Sequence, residues 1–468
     1  MSSWRGPVLP GGDGDFLHGG RAKSPAAESH APTPGVPSDH ARVWPGRLNL
    51  FQATMLDWRD FHPYNAVHAV RLDVPLDVGA LTQAIAGCLA DAGLTGLVLD
   101  RARCRYAWRG GAPRVALEML DASADWQSSL THAFERHLNA PFPRTGAIDP
   151  FRFFAMPADG GFFVGVAYDH FIAGGDSIIA LLDAIAARYA GEPIDASPLQ
   201  RYPRTHARLF ARDPLAFARG LVRLPGLAQS CRRTIRPRYR AIDDGRNGFT
   251  FCWLGPTQYR ALRNAAKTWG VTLNDALTAL LLVAQDAAMP ARDMSKRRRE
   301  LAVASIVNLR GAHGEDARTF GQFLSSFRVA HPVPPGIGLD ALARDVHRTT
   351  TRIKREKLFL TTLFAMGVDR LIGRMQTRRQ RMGIYAKNYP VGAGVSSLNV
   401  DSLWTSGGGE APLYVRGVPT GPLSPLVVAV TTSGERMCLG ISYRTTAMSA
   451  ADAEALRNDL VKRIEELR

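Results

Sequence analysis

One stretch, residues 162–190, constrains the fold most, because a buried strand, a polar loop and a helix follow each other directly. Its first residues, FFVGVAY, form a dense apolar run of the length that is typical of a buried strand. Asp169 and His170 end this run, and apolar residues return at helical spacing after Asp176, a favourable N-cap, until Gly191. His170 is therefore expected in a loop between two rigid elements, where reactive side chains are often held. The alternative is a half-buried histidine at a strand end, without a chemical role.

This arrangement resembles the HHxxxDG region of the superfamily that includes chloramphenicol acetyltransferases, condensation domains and wax ester synthases. The chain has DHFIAGGD here, and the resemblance implies that His170 is the general base. Asp169 stands where the superfamily has its first His. Gly174 stands where the superfamily has an Asp that supports the loop through a salt bridge, and it is followed by Gly175. The resemblance implies a weakened loop, or a loop in which Asp176 compensates from a shifted position.

Further landmarks of the same superfamily follow in the same order along the chain. GVTLNDALTA, IVNLR, FGQFLSS and VGAGVSSLNVDSLW resemble segments of its second half, and the similarity covers roughly residues 48–468. It implies an α/β fold of two chloramphenicol-acetyltransferase-like halves, each a mixed β-sheet covered by helices, with a tunnel between them. Ser396 and Asn399 are expected to bind an oxyanion or line the channel, or to be ordinary polar strand residues. Arg152 and Arg310 are candidate partners for an acid near the motif, although such an Arg often only reaches towards solvent.

Composition shifts along the chain predict four parts. Residues 1–45 are rich in Pro, Gly, Ser and Ala without periodicity, and we expect a disordered tail. Residues 46–200 form the predicted first half, which carries the His170 motif. Residues 201–246 contain many Arg and Pro and no sustained strand pattern, which predicts a basic crossover linker with short helices. Residues 247–468 form the predicted second half.

Positive charge is concentrated in two segments of a chain whose net charge is +16. Residues 201–246 hold 12 Arg against three Asp, and residues 341–387 hold 12 Lys or Arg against three acidic residues, so each carries +9. This concentration predicts either a broad solvated surface or an anionic partner. The candidate partners are the phosphates of coenzyme A, an acidic acyl carrier protein and anionic lipid. Nucleic acid is not expected, because neither segment has interleaved aromatic residues or a recognisable binding module.

Several other classes of protein are not supported by the residues. The five cysteines are scattered and neither they nor the histidines have the spacing of metal ligands, so we expect no zinc site, no disulfide framework and a cytoplasmic location. The N-terminal residues lack the apolar core of a signal peptide, and no apolar stretch is long enough to span a bilayer, which leaves peripheral membrane contact as an open alternative. GDSI at 175–178 resembles the start of a GDSL hydrolase, but no later Asp-x-x-His follows. A P-loop and a complete dinucleotide-binding glycine pattern are also absent from the sequence.

The resemblance implies transfer of an acyl group from a thioester, either acyl-CoA or an acyl carrier protein, to a hydroxyl or amine acceptor. This chemistry needs a base for the proton of the acceptor and donors for the oxyanion. A histidine suits the first role, and because the thioester is already activated, no bound cofactor or metal is expected. The alternative function is a catalytically inactive condensation-like binding or scaffold domain, suggested by Gly174.

Overall fold

The computed structural model describes residues 44–121, 125–144, 146–192, 207–288, 297–314, 319–373, 375–409, 411–422 and 424–467, which belong to one compact unit. The predicted tail lies outside this range except for its last two residues. The strands are β1 (Trp44–Arg47), β2 (Asn65–Leu72), β3 (Leu97–Asp100), β4 (Arg105–Trp108), β5 (Leu117–Met119), β6 (Ala147–Ile148), β7 (Phe151–Ala158), β8 (Gly161–Asp169), β9 (Asn247–Leu254), β10 (Leu301–Asn308), β11 (Leu324–His331), β12 (Ala393–Asn399), β13 (Tyr414–Gly417), β14 (Leu426–Ser433) and β15 (Arg436–Arg444).

Helices and strands are mixed along the chain, often in runs of several strands or several helices. The helices are α1 (Leu50–Arg59), α2 (Val78–Asp91), α3 (Trp126–Asn139), α4 (Gly175–Tyr189), α5 (Ala207–Arg212), α6 (Pro214–Val222), α7 (Leu224–Arg233), α8 (Pro256–Trp269), α9 (Leu273–Ala288), α10 (Arg310–His313), α11 (Leu339–Arg355), α12 (Phe359–Gly373), α13 (Arg378–Asn388) and α14 (Ala450–Glu465). None of the described helices is long and apolar enough to cross a membrane.

The sheet of the first half runs in the order β13, β2, β8, β7, β5, and β8 pairs with antiparallel neighbours on both sides. Strand β8 is central and nearly all of it is buried, as its apolar run predicts. Its side chains alternate between two cores. Phe162 and Val164 pack in the core that includes residues of α2 and α4, whereas Phe163 and Ala167 pack with residues of α3. The motif that follows β8 is thus attached to the rigid centre of this sheet.

The sheet of the second half runs in the order β11, β10, β12, β14, β15, β9, and its β10, β12 and β14 are parallel. Its core includes residues of α8, α9, α11 and α14. Between β12 and β14 the chain crosses to the first half, where β13 pairs with β2 at Tyr414 and Val70. A small third sheet has the order β1, β4, β3, β6. Mixed sheets covered by helices confirm the predicted fold class.

Three local predictions have different outcomes. The helix after the motif ends as expected, with Gly191 at a φ of +72°. Asp176 does not cap this helix, because α4 begins one residue earlier and Gly174 is its N-cap. The described part of the predicted linker contains the short helices α5, α6 and α7. The limits of the four predicted parts of the chain stay a prediction. Helices α12 and α13 were not predicted. In α12, apolar residues lie on both the buried and the exposed face, so the sequence shows no amphipathic pattern there.

Candidate active site

A cavity of about 140 Å³ lies between the two large sheets, at the place predicted for a tunnel. The first half contributes residues of β8, its loop and α1, and the second half contributes residues of β10 and β12 and the crossing strand β13. His170, Gly174, Gly175, Asp176 and Ser396 are all among the lining residues. The structure therefore brings most of the predicted site residues together around one space. A wider depression of about 480 Å³ adjoins it and shares five residues with it: Asp176, Asn308, Arg310, Ser397 and Leu398.

His170 is fixed through both its backbone and its ring. Its N–H donates to the carbonyl of Tyr64 at 3.0 Å, and its carbonyl accepts from Nε2 of Gln322 at 2.7 Å. The imidazole stacks on the ring of Tyr64, with centroids 5.8 Å apart, and meets the ring of Tyr168 edge-on at 5.7 Å. These contacts leave the ring little freedom to change its direction within the cavity.

The surroundings keep the imidazole of His170 neutral. Burial lowers its pKa to about 4, the nearby carbonyl of Ala173 opposes this change, and the positive charge of Arg416 lowers the pKa further. Nδ1 is buried, and no acceptor among the described residues forms a well-aligned hydrogen bond with it. A neutral imidazole that lines a cavity can accept a proton from a bound hydroxyl or amine, as a general base does, and its lowered pKa makes it a weaker base than an ordinary histidine.

Asp169 occupies the position of the first motif His and forms an ion pair with Arg59 of α1. Both side chains are almost fully buried, at 1% and 4% exposure. Arg59 also donates from Nη2 to the carbonyl of Pro143 at 2.7 Å. Burial raises the pKa of the Asp169 carboxyl to about 6, while the charge of Arg59 acts in the opposite direction. The pair ties α1 to the residue directly before His170.

Arg152 was predicted to be a partner for an acid in this loop, and among the described residues it makes no ion pair. Its Nη1 and Nη2 donate to the carbonyls of Ala140 at 3.1 Å and Pro141 at 2.6 Å, and its guanidinium lies 4.1 Å from the ring centroid of Phe142. Arg152 therefore holds the turn before β7. The arginine in ion-pair contact with Asp169 comes instead from α1, which is distant in sequence, and Arg152 acts on Asp169 only through its charge at longer range.

Arg310 and Asp176 are brought together as expected. Nε of Arg310 lies 3.9 Å from the Asp176 carboxylate, Nη2 donates to Oγ of Ser177 at 3.1 Å, and Nη1 donates to the carbonyl of Thr319. Asn308, at the end of β10, also donates to the Asp176 carboxylate. These contacts join the start of α4 to the second half. Asp176 therefore anchors the end of the loop, two residues after Gly174.

The two glycines of the motif differ in how much space they have. A Cβ on Gly175 would lie 2.2 Å from Cδ1 of Leu398, so a larger residue there would require the Leu398 side chain to move. A Cβ on Gly174 would make ordinary contacts, the nearest at 3.4 Å from Oε1 of Gln322. Nε2 of Gln322 also donates to the carbonyl of Ala173 at 3.0 Å. Gln322, the glutamine of FGQFLSS, therefore holds the loop at two points, the carbonyls of His170 and Ala173.

The two residues predicted on the late strand have different places. Ser396 lines the cavity, and its Oγ accepts from Nη1 of Arg416 at 3.1 Å. Asn399 lines only the outer depression, and its Oδ1 accepts from the backbone N–H of Asp401 at 3.0 Å. Asn399 therefore does not join His170 in the cavity.

Sequence reasoning missed Arg416, a buried cation on β13 that lines the cavity. Besides Ser396, it donates to Oγ1 of Thr431 at 3.4 Å and to the carbonyl of Val430 at 3.0 Å. No carboxylate in the described parts of the chain lies within 4 Å of its guanidinium, and burial lowers its pKa. The available signal was a lone arginine inside the apolar strand LYVRGV, since an unpaired buried charge is rare.

Comparisons with solved structures place this architecture among known folds. The first condensation domain of the CDA synthetase has a TM-score of 0.68 at 17% identity, over 91% of this chain and 96% of that domain. The starter condensation domain of rhizomide synthetase, solved with C8-CoA, has a TM-score of 0.62 at 16% identity, over 90% of this chain and 94% of that one. The epimerization domain from the third module of tyrocidine synthetase B has a TM-score of 0.61 at 13% identity, over 91% and 97%.

No family model matches the chain, and comparison with curated protein sequences found no relative. The solved structures nevertheless correspond to almost the whole chain and almost the whole of each domain. At these identities the similarity establishes the fold, and activity has to be argued from the site. The predicted resemblance is confirmed at the level of the fold: the chain has the fold of condensation domains.

Proposed function

We propose that the protein is an acyltransferase that moves an acyl group from a thioester to a hydroxyl or amine, with His170 as the general base. The observation that carries the proposal is a neutral imidazole, clamped between Tyr64 and Tyr168, that lines the cavity between the two halves. Neighbours with this fold include condensation domains, one of them solved with C8-CoA.

In the proposed reaction, His170 removes the proton of the acceptor while the acceptor attacks the carbonyl carbon of the thioester. A new C–O or C–N bond forms, and a tetrahedral oxyanion results. When this intermediate collapses, the C–S bond breaks and the leaving thiolate takes the proton from the imidazolium. The steps balance without a redox cofactor.

Arg416 is the proposed donor to the oxyanion, with Ser396 as the residue that orients it. The four hydrogen bonds that Arg416 makes to described residues use one hydrogen of Nε, one of Nη1 and both of Nη2, and within the described chain they leave one N–H of Nη1 for a ligand. A preorganised cation in a site with little water stabilises developing negative charge more strongly than it would in solvent. Asn399 is not part of this proposal, because it lies outside the cavity.

The proposed donor is acyl-CoA or an acyl carrier protein with a phosphopantetheine arm. The two basic segments, residues 201–246 and 341–387, would attract coenzyme A phosphates or an acidic carrier at long range. All five cysteines are free thiols, which suits the reducing cytoplasm as the proposed location.

The second candidate function is an inactive binding or scaffold domain, which Gly174 suggested. The contacts of Gln322, Asp176 and Arg310 weaken the case for it, because they hold the loop without a carboxylate at position 174.

The test is release of free thiol from a panel of acyl-CoA and acyl-carrier donors, supplied with mixed alcohols and amines. We expect donor-dependent release by the wild type and a loss of about 10²–10⁴-fold in His170→Ala, as for removal of a general base. The matched control is His331→Ala, which removes a half-buried histidine paired with Asp345, outside the cavity. Equal rates for wild type and His170→Ala would refute the assigned base, and silence of the wild type with every donor would favour the scaffold.

A further inference from the structure

Helices α6 and α12, which contact each other, both expose large apolar side chains. Helix α12 has Phe364, Val368, Leu371 and Ile372 on one stripe at helical spacing, and Met375 continues the stripe just beyond the helix. Helix α6 adds Leu215 and Val222, at 73% and 80% exposure. Together these seven residues form what we call the α6–α12 face. They are seven of the ten large apolar side chains that are exposed in the described chain.

The two helices form one packed unit, so the α6–α12 face is a defined surface. Gly220 of α6 packs so closely on α12 that a Cβ there would lie 2.1 Å from Oγ1 of Thr361. The rings of Phe217 and Phe364 meet edge-on with centroids 5.5 Å apart. The opposite side of α12 is buried, and it packs on α1, whose Phe51 and Met55 line the cavity. Phe364 takes part in the contact with α6, whereas Val368, Leu371, Ile372 and Met375 are 41–84% exposed.

Both helices belong to basic parts of the chain. Helices α6 and α7 belong to the basic segment 201–246, α12 and α13 belong to the basic segment 341–387, and α6 contacts α12 while α7 contacts α13. The described parts of the two basic segments therefore lie side by side. Arg219, Lys354 and Arg379 are exposed and form no ion pair with any described residue. An exposed apolar patch of this size beside unneutralised bases calls for a partner that is both apolar and anionic.

We propose that the α6–α12 face binds the surface of a membrane that contains anionic phospholipid. The apolar stripe would enter the boundary between headgroups and acyl chains, and the surrounding Arg and Lys would contact the phosphates, as in interfacial amphipathic helices. An acidic carrier protein would satisfy the bases, but it would not account for a continuous apolar stripe that ends in Met375, at 84% exposure. The proposal concerns binding and is independent of the transfer chemistry.

The first experiment is co-sedimentation of the full chain with vesicles of phosphatidylcholine mixed with phosphatidylglycerol, and with vesicles of phosphatidylcholine alone. We expect binding to the mixed vesicles that weakens at high salt, and little binding to the neutral ones. Reversing two bases, in Arg219→Glu/Arg379→Glu, is expected to weaken binding by at least about ten-fold, since each basic residue at an anionic surface contributes about five-fold. Arg436→Glu, at an exposed base on β15, is the matched control.

The second experiment removes the apolar stripe without changing charge. Leu371→Ser/Met375→Ser is expected to weaken vesicle binding by about ten-fold or more, because two apolar side chains no longer enter the lipid. The control is Met119→Ser, which removes an exposed apolar side chain on β5. Since all these side chains face solvent, unfolding temperatures should stay close to that of the wild type. Equal binding by the double variant and the wild type would overturn the proposal. The proposal would also be overturned if the wild type did not sediment with anionic vesicles. It would be overturned as well if the same residues formed a dimer or a complex with a carrier protein and bound no vesicles.

Discussion

Replacing Arg59 by methionine removes the cation that faces Asp169 and leaves a carboxylate in the protein interior. Methionine fills similar space, so the main loss is the charge and the hydrogen bonds to Asp169 and Pro143. Removal of one partner of a buried ion pair costs about 3–5 kcal/mol, because the other charge stays buried without compensation. We therefore expect the free energy of unfolding of Arg59→Met to be lower by this amount near neutral pH.

The loss should depend on pH, and its sign follows from the pKa of Asp169. Burial raises this pKa from 3.8 to about 6, so between these values the folded chain holds a proton that the unfolded chain has released. This group therefore makes stability fall as pH rises through that window, by up to about 3 kcal/mol, and it has no further effect above it. Without Arg59 the folded pKa rises further, so the stability of the variant should continue to fall above pH 6 while that of the wild type levels off.

Urea unfolding of both proteins at about pH 5 and about pH 8 measures this difference. The loss should be about 1–2 kcal/mol at the lower pH, where Asp169 is protonated in both proteins, and about 3–5 kcal/mol at the higher pH. Burial lowers the pKa values of His62 and His137, and their effects cancel because they are the same in both proteins.

Two further variants identify the cause of the loss. Adding Asp169→Asn to Arg59→Met should recover part of the stability, because the uncompensated charge disappears. Arg101→Met is the matched control, since Arg101 pairs with Asp60 at 2.7 Å where both side chains are about one-third exposed, and its loss should be about 0–1 kcal/mol. The reasoning is refuted if Arg59→Met loses the same free energy at both pH values.

Two other predictions concern the motif. Gly174→Asp should leave thiol release unchanged and raise stability by at most about 1 kcal/mol, because an Asp there can cap α4 and the loop is already held by Gln322. A large gain in activity would instead show that Gly174 is the defect of the site. The rate of acyl transfer should stay constant from about pH 8 down to about pH 5 and fall only below that, because His170 with a pKa of about 4 is neutral throughout this range. A fall in rate centred near pH 6.5 would contradict the lowered pKa.

The sequence alone determined the elements whose signals lie within one strand or one helix. The apolar run FFVGVAY forms the buried strand β8, and the helix after the motif ends just before Gly191 as predicted. A capping box of Ser449 and Asp452, which four consecutive residues are enough to specify, opens α14. Such elements can be predicted from sequence because periodicity and caps depend on residues within a few positions of each other. The landmark order then gave the fold class and put His170, Asp176 and Ser396 in the cavity.

Only the tertiary structure decided which side chains support the site. Asp169 pairs with Arg59, 110 positions away, and the sequence pointed to the nearer Arg152 because strand neighbours are all that a local pattern reveals. Arg416 reaches the cavity because β13 crosses between the halves, a pairing that no local pattern encodes. The α6–α12 face likewise arises where two segments distant in the chain pack together. Local patterns fix where a strand or helix forms, whereas the partners of a buried charge or an exposed apolar stripe depend on how distant elements pack.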